Sequence, residues 1–188
     1  QYLMAKGTQK ISQISKIYTT NYPLIALTFV LLFFQSLFLK ADSYAVASRH
    51  HLATDIGMKI LEEGGNAVDA AIAVAFALAV VNPSAGNLGG GGFMLIHLAE
   101  KNQTFSIDYR ERAPAKSFEK MFQDVSGKVI DGLSLNSILA SGVPGTVSGL
   151  FYASEKYGNM DIKSLINPSI DLARNGFTLS DFQAKNLN

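Results

Sequence analysis

The run Ala67–Val81, reading AVDAAIAVAFALAVV, narrows the folds open to this chain more than any other stretch. Alanine alternates there with Ile72, Val74, Phe76, Leu78 and Val80, and almost no face is polar. Alternation by itself would fit a strand, but the alanine content and a length of about 15 residues favour a helix. A helix that is apolar all round has to be buried, so other elements must surround it. It is also shorter than the ~20 residues a membrane-spanning helix needs. Asn66 is placed to cap its N-terminus, and Asn82-Pro83 ends it.

The neighbouring segments supply those surrounding elements. In residues 52–63, Ile56, Ile60 and Leu61 recur near helical spacing, Thr54 is available as an N-cap and Gly64-Gly65 forms a stop, which predicts a short amphipathic helix. Beyond Asn82-Pro83 a loop runs through Gly92 into residues 93–98, an apolar run that reads as a buried strand. Residues 100–103 read as a turn and residues 104–109 as the partner strand, a hairpin that would deliver Arg110 to the mouth of a site. Pro114 closes that element. Residues 121–133 are polar and glycine-containing, a loop or irregular hairpin, and Ser141-Gly142-Val143-Pro144-Gly145 reads as a tight turn whose role is backbone geometry. Two helices follow. Thr146–Tyr157 carries Val147, Leu150 and Phe151 on one side, and Ile162–Asn175 carries Leu165, Ile166, Ile170 and Leu172. Gly158 and Gly176 stand where helix C-termini need them. Residues 177–188 look like the start of another helix, so a piece of a longer mixed helix and strand protein is expected.

The amino terminus has the grammar of a targeting segment. Lys6, Lys10 and Lys16 precede an apolar run over residues 24–34, broken only by Thr28 and extended past Gln35 and Ser36 to Leu39. Ser43-Tyr44-Ala45 then supplies a small-x-small site, which predicts cleavage after Ala45, with Ala41 as the second position. Residues 1–45 are therefore read as a signal peptide or N-terminal membrane anchor, and residues 46–188 as an exported domain, periplasmic or secreted, or membrane-anchored if the segment stays uncleaved. The chain has no cysteine, so its stability must come from packing even in an oxidising compartment. Its 188 residues and 48% hydrophobic content suffice for one domain core. A net charge of +1 creates no broad field, which removes the case for a nucleic-acid partner.

Chemistry is sparse. Four consecutive glycines at residues 89–92 invite a phosphate-loop reading, but a dinucleotide fingerprint runs strand, GxGxxG, helix, whereas here a helix precedes and a strand follows. No GK[ST] ending appears, so the glycines are read as allowing tight backbone packing near a site. Arg110 carries a permanent planar charge that can grip a carboxylate through two parallel hydrogen bonds. An ordinary surface ion pair with Asp108 or Glu111 is the alternative. His50, His51 and His97 show no HExxH or i, i+4 spacing, so they are read as structural or solvent-facing, and neither metal nor cofactor is expected. No GxSxG elbow is present.

Several blocks taken together, ILEEGGNAVDAAIAVAFALAVVNPSAGNLGGGGFMLI, IDYRERAP, ASGVPGTVSGL and YGNMDIKSLINPSIDLARNGF, resemble the gamma-glutamyltranspeptidases, also called glutathione hydrolases. The resemblance runs in order from about Ala45 to the end and fits the bacterial, exported type. It implies an α+β N-terminal-nucleophile hydrolase fold, a four-layer αββα sandwich, with only the N-terminal part of the large subunit present. Such a proenzyme cuts itself into large and small subunits, and the small subunit's new N-terminal threonine attacks the gamma-glutamyl carbonyl with its own amine as base. The glutamyl group of glutathione or a related compound then passes to water or to an amino acid or peptide acceptor. The arginine of the RExAP block, which binds the glutamyl alpha-carboxylate, matches Arg110 in Arg110-Glu111-Arg112-Ala113-Pro114. A TTH-type cleavage motif is absent, since Thr19-Thr20 is followed by Asn21, so no catalytic residue is expected within these residues. A related cephalosporin (glutaryl) acylase and a noncatalytic exported binding or structural protein are the two alternatives.

Overall fold

The structure, a computed structural model, describes residues 44–187. The targeting segment read over residues 1–45 therefore lies outside the described residues, apart from its last two positions. Among the described residues no helix is long and apolar enough to cross a membrane. The elements run α1 (His51–Glu62), α2 (Ala67–Val81), β1 (Phe93–Leu98), β2 (Gln103–Asp108), a single turn α3 (Leu133–Asn136), α4 (Thr146–Tyr157), α5 (Ile162–Asn175) and α6 (Asp181–Leu187).

Helix α2 is the centre of the packing, as its composition requires. Ile72, Ala73, Ala77 and Val81 are 0% exposed, and Val68, Ala70, Val74 and Phe76 are also buried. Ala67 and Ala71 form its one open edge. Ala53 and Ile60 from α1, Leu150 and Ala153 from α4, Leu165 from α5 and Ile96 from β1 complete two adjoining clusters around it. Burial of one large aliphatic side chain is worth about 1.5–3 kcal/mol, and the alanines Ala73 and Ala77 of α2 with Ala53 and Ala153 of its neighbours let the helices close around Ile72, Leu150 and Leu165.

The start of α2 is tied down by polar groups. Asn66 Oδ1 accepts from the N–H groups of Val68 and Asp69, at 2.8 and 3.0 Å, and the Asp69 carboxylate accepts from Asn66 N–H at 2.9 Å, forming a capping box. Asp69 is 0% exposed, yet its carboxylate is satisfied from a second direction, because Asn159 N–H donates to it at 3.0 Å. Asn66 Nδ2 also donates to Tyr157 O, at 2.7 Å. One buried carboxylate and one cap thus fasten α2 to the α4–α5 connection, about 90 residues further along the chain.

Several boundaries differ from the sequence expectation for identifiable reasons. Helix α1 begins before Thr54, and its cap is His50, whose Nδ1 accepts from Leu52 N–H at 3.3 Å. Thr54 lies within the first turn and shares a 2.8 Å hydrogen bond with the Ser48 hydroxyl. Gly64 and Gly65 do end the helix, their N–H groups returning to Leu61 O and Ile60 O. Within the described residues β1 meets the core through one face of the two-stranded sheet. Ile96, Met94 and Leu98 face inward while Phe93 and Leu95 are 64% and 77% exposed. On α4 the buried stripe is Thr146, Gly149, Leu150 and Ala153, so Val147 and Phe151, expected beside Leu150, are exposed instead. Residues 121–133 do contain an irregular hairpin, with a bridge between Gln123 and Val129.

Replacing Asp69 by alanine removes the acceptor of the part-buried Asn66 and Asn159 N–H groups, and the full-length protein should lose on the order of 2 kcal/mol of stability in chemical denaturation. A loss below about 0.5 kcal/mol would show that Asp69 does not fasten the two segments.

Candidate anion-binding site

Strands β1 and β2 pair antiparallel from Phe93 opposite Asp108 to Leu98 opposite Gln103, with Asn102 in the left-handed region at the connection. Arg110 follows two residues after β2, where the hairpin was expected to deliver it. The rung beyond the sheet is closed by Tyr109 N–H donating to Gly92 O at 3.0 Å. Asp108 Oδ1 then accepts from the Arg110 backbone N–H, also at 3.0 Å. The Asp108 carboxylate therefore braces the arginine's main chain instead of neutralising its side chain. Arg110 is exposed, and among the described residues the ion pairs are Lys59 with Glu63 and Arg174 with Asp171. The surface ion pair considered for Arg110 is thus not formed with either Asp108 or Glu111.

The segment Ser141–Gly145 is not the isolated turn expected from its composition. It runs alongside the arginine block as an antiparallel bridge, with Arg112 N–H donating to Val143 O at 3.2 Å and Val143 N–H donating to Arg112 O at 2.8 Å. The next two N–H groups, of Gly145 and Thr146, both donate to Gly90 O, at 2.8 and 3.0 Å. Asn87 Oδ1 accepts from Gly90 N–H and from the Thr146 hydroxyl, at 3.0 and 2.7 Å. Glycine loop, arginine block and the start of α4 are consequently one hydrogen-bonded unit.

Absent side chains make this contact possible. A Cβ on Gly91 would lie 2.7 Å from Tyr109 O and 2.8 Å from Arg110 Cα, closer than atoms pack. A Cβ on Gly145 would run into Tyr109 O, and one on Gly149 into the Tyr109 side chain. Gly91 and Gly92 thus show the expected tight packing, against Arg110 and Tyr109, whereas Gly89 meets open space. Sequence reasoning missed Tyr109, Gly145 and Gly149. A signal existed for the last, since a glycine on the buried stripe of a helix costs roughly 0.5–1 kcal/mol against alanine and marks a close approach.

Arg110 borders an open groove of about 800 Å³, lined also by Arg112, Lys156, Tyr109, Tyr152 and Ser148. Asp108 is the carboxylate among its lining residues, against three cations. Lys156 Nζ lies 5.5 Å from the Tyr152 ring centroid, a cation–π arrangement that holds a second positive charge near the groove. Burial pushes the Tyr109 phenol above its ordinary range, so it stays neutral. The arrangement suits a small anion approached by a planar guanidinium. His50 and His51 stack on one another, and His97 shares a hydrogen bond with Thr104 on the exposed sheet face, so none of the histidines joins the groove.

A family model described as Gamma-glutamyltranspeptidase matches residues 53–188. A glutathione hydrolase proenzyme of Pseudomonas sp. (strain A14) is 52% identical over 139 residues, covering 74% of this chain and 24% of that protein. A glutathione hydrolase proenzyme of Escherichia coli (strain K12) is also 52% identical, over 148 residues, covering 79% of this chain and 25% of the relative. This chain thus spans about a quarter of the length of these curated relatives. The crystal structure of Helicobacter pylori gamma-glutamyltranspeptidase superposes with a TM-score of 0.75 at 50% identity, covering 79% of this chain and 42% of that one. The described elements are accordingly part of an N-terminal-nucleophile hydrolase fold, represented here by helices and one two-stranded sheet. On these matches the chain belongs to the gamma-glutamyltranspeptidase family.

Proposed function

We propose that this chain is the N-terminal part of the large subunit of an exported gamma-glutamyltransferase and glutathione hydrolase, with Arg110 gripping the alpha-carboxylate of the glutamyl donor. The observation that carries the reading is an exposed arginine unpaired among the described residues, whose N–H is held by Asp108 and whose neighbours Tyr109 and Arg112 are held by Gly92 and Val143. A guanidinium held this way offers a carboxylate two parallel charge-assisted hydrogen bonds, worth about 1.5–3 kcal/mol. Such a contact selects donors carrying an alpha-carboxylate, as glutathione and other gamma-glutamyl compounds do.

The reaction that fits is acyl transfer. A threonine exposed as the N-terminus of a downstream small subunit adds through its hydroxyl oxygen to the gamma-carbonyl carbon, while its own amine takes the hydroxyl proton. The carbon–nitrogen bond to the leaving amine breaks, the proton passes to that amine, and a gamma-glutamyl ester remains on the enzyme. Water, or the amine of an amino acid or peptide, then takes the glutamyl group. Arg110 does no bond-making in this scheme; it fixes the donor so that the carbonyl meets the nucleophile. The processed small subunit is the proposed protein partner, and the basic, apolar stretch before residue 46 supports a periplasmic or secreted location.

Two measurements test the reading. Mass spectrometry of the product of the full reading frame should show a break before a threonine, and an uncleaved, inactive product contradicts the mechanism. In the complete enzyme Arg110→Lys should raise KM for glutathione by about tenfold with little change in kcat, because a lysine point charge cannot make the paired contact. An unchanged KM refutes the assigned role, and faster hydrolysis of a glutaryl-cephalosporin than of glutathione would favour an acylase instead.

A further inference from the structure

The Tyr109 side chain is wedged between two glycines from different elements. A Cβ on Gly92, at the edge of β1, would meet its Cε2 at 2.8 Å and its hydroxyl oxygen at 3.1 Å. A Cβ on Gly149, in the second turn of α4, would overlap its Cβ and Cγ and stand 2.6 Å from Cδ1. The ring therefore packs directly on the backbone at the edge of the strand and on the helix, with no side chain of either glycine to cushion it. Leu150 and Ala153, beside Gly149 on α4, are 1% and 0% exposed, so the helix cannot retreat without opening the core around α2.

We infer that Tyr109 is a positioning residue for the donor binding proposed for its neighbour, a flat wedge that sets where the Arg110 guanidinium stands and so sets the enzyme's grip on alpha-carboxylated donors. The inference rests on the donor-binding role proposed for Arg110 and adds the residue through which the core reaches it. Tyr109 shares one peptide bond with Arg110, and its own N–H is already committed to Gly92 O. The Arg110 N–H is committed to Asp108, and Arg112 is bridged to Val143 two residues on. Beside these main-chain bonds and the close packing of Tyr109 O on Gly91 and Gly145, the ring is the side-chain contact that resists rotation of residue 109 and keeps it from carrying Arg110 with it. The wedge acts through the shape of the ring, with the hydroxyl adding no hydrogen bond to it among the described residues.

The test uses the complete, self-processed enzyme and a chromogenic gamma-glutamyl anilide as donor. Tyr109→Ala should raise KM at least about fivefold while kcat stays within about threefold, because only the grip on the donor is loosened. Tyr109→Phe, which keeps the ring, should bring KM back to within about twofold of the parent. Gly149→Ala, which pushes the ring out, should reproduce the Tyr109→Ala pattern. If Tyr109→Ala does not fold, Tyr109→Leu, which keeps apolar volume without a flat ring, carries the same expectation. A fall in kcat with KM unchanged in these variants, or a KM in Tyr109→Phe as high as in Tyr109→Ala, overturns the inference. Arg110→Lys run in parallel separates the two ideas: if it raises KM and Tyr109→Ala does not, the wedge alone is wrong. If Arg110→Lys leaves KM unchanged, the donor-binding role falls and the wedge with it.

Discussion

Helix α2 cannot be solvated on more than a narrow edge, and the placement of the other elements follows from covering it. α1, α4 and α5 lie against it, and Ile96 reaches the same core from β1. The buried carboxylate of Asp69 sets the depth at which α2 meets the α4–α5 connection, since it must accept from Asn66 and Asn159 together. With α2 and α4 locked, the Gly149 face of α4 presents a flat surface on which Tyr109 rests. The position of Arg110 is thus inherited, contact by contact, from a helix whose buried face it does not touch.

The site combines a rigid main chain with an unneutralised charge. Asp108 lies two residues before Arg110 in the chain, yet its Oδ1 accepts from the Arg110 backbone N–H and, among the described residues, no ion pair joins the two side chains. Keeping a guanidinium exposed costs little, because water solvates it; its net value appears when a carboxylate replaces that water with two aligned acceptors. Arg112 and Lys156 at the same groove deepen the positive potential that an incoming anionic donor meets.

The elements with strong periodicity or clear punctuation were legible in the sequence. The bounds of α2, α4 and α5 coincide with those read from the apolar patterns, the Asn66 cap and the glycine stops at Gly158 and Gly176. Arg110 could be singled out because it follows a predicted strand pair and its guanidinium can grip a carboxylate, with a surface ion pair left open until the RERAP block gave it a role by resemblance. What could not be read were contacts between distant segments. Composition made Ser141–Gly145 look like a turn, although it is extended along Arg112, a pairing across about 30 residues that no local pattern encodes. Val147 and Phe151 flank Leu150 on α4 as read, but the helix turns Thr146, Gly149 and Ala153 toward the core beside Leu150 and leaves those two exposed. Close packing on α2 and Tyr109 outweighed hydrophobicity at those positions.

The most direct test of the account is a crystal structure of the complete, processed enzyme with glutamate bound. It predicts two parallel hydrogen bonds, about 2.7–2.9 Å long, between the Arg110 guanidinium and the glutamate alpha-carboxylate. An alpha-carboxylate held by other groups, with Arg110 turned away or paired to a protein carboxylate, would contradict it.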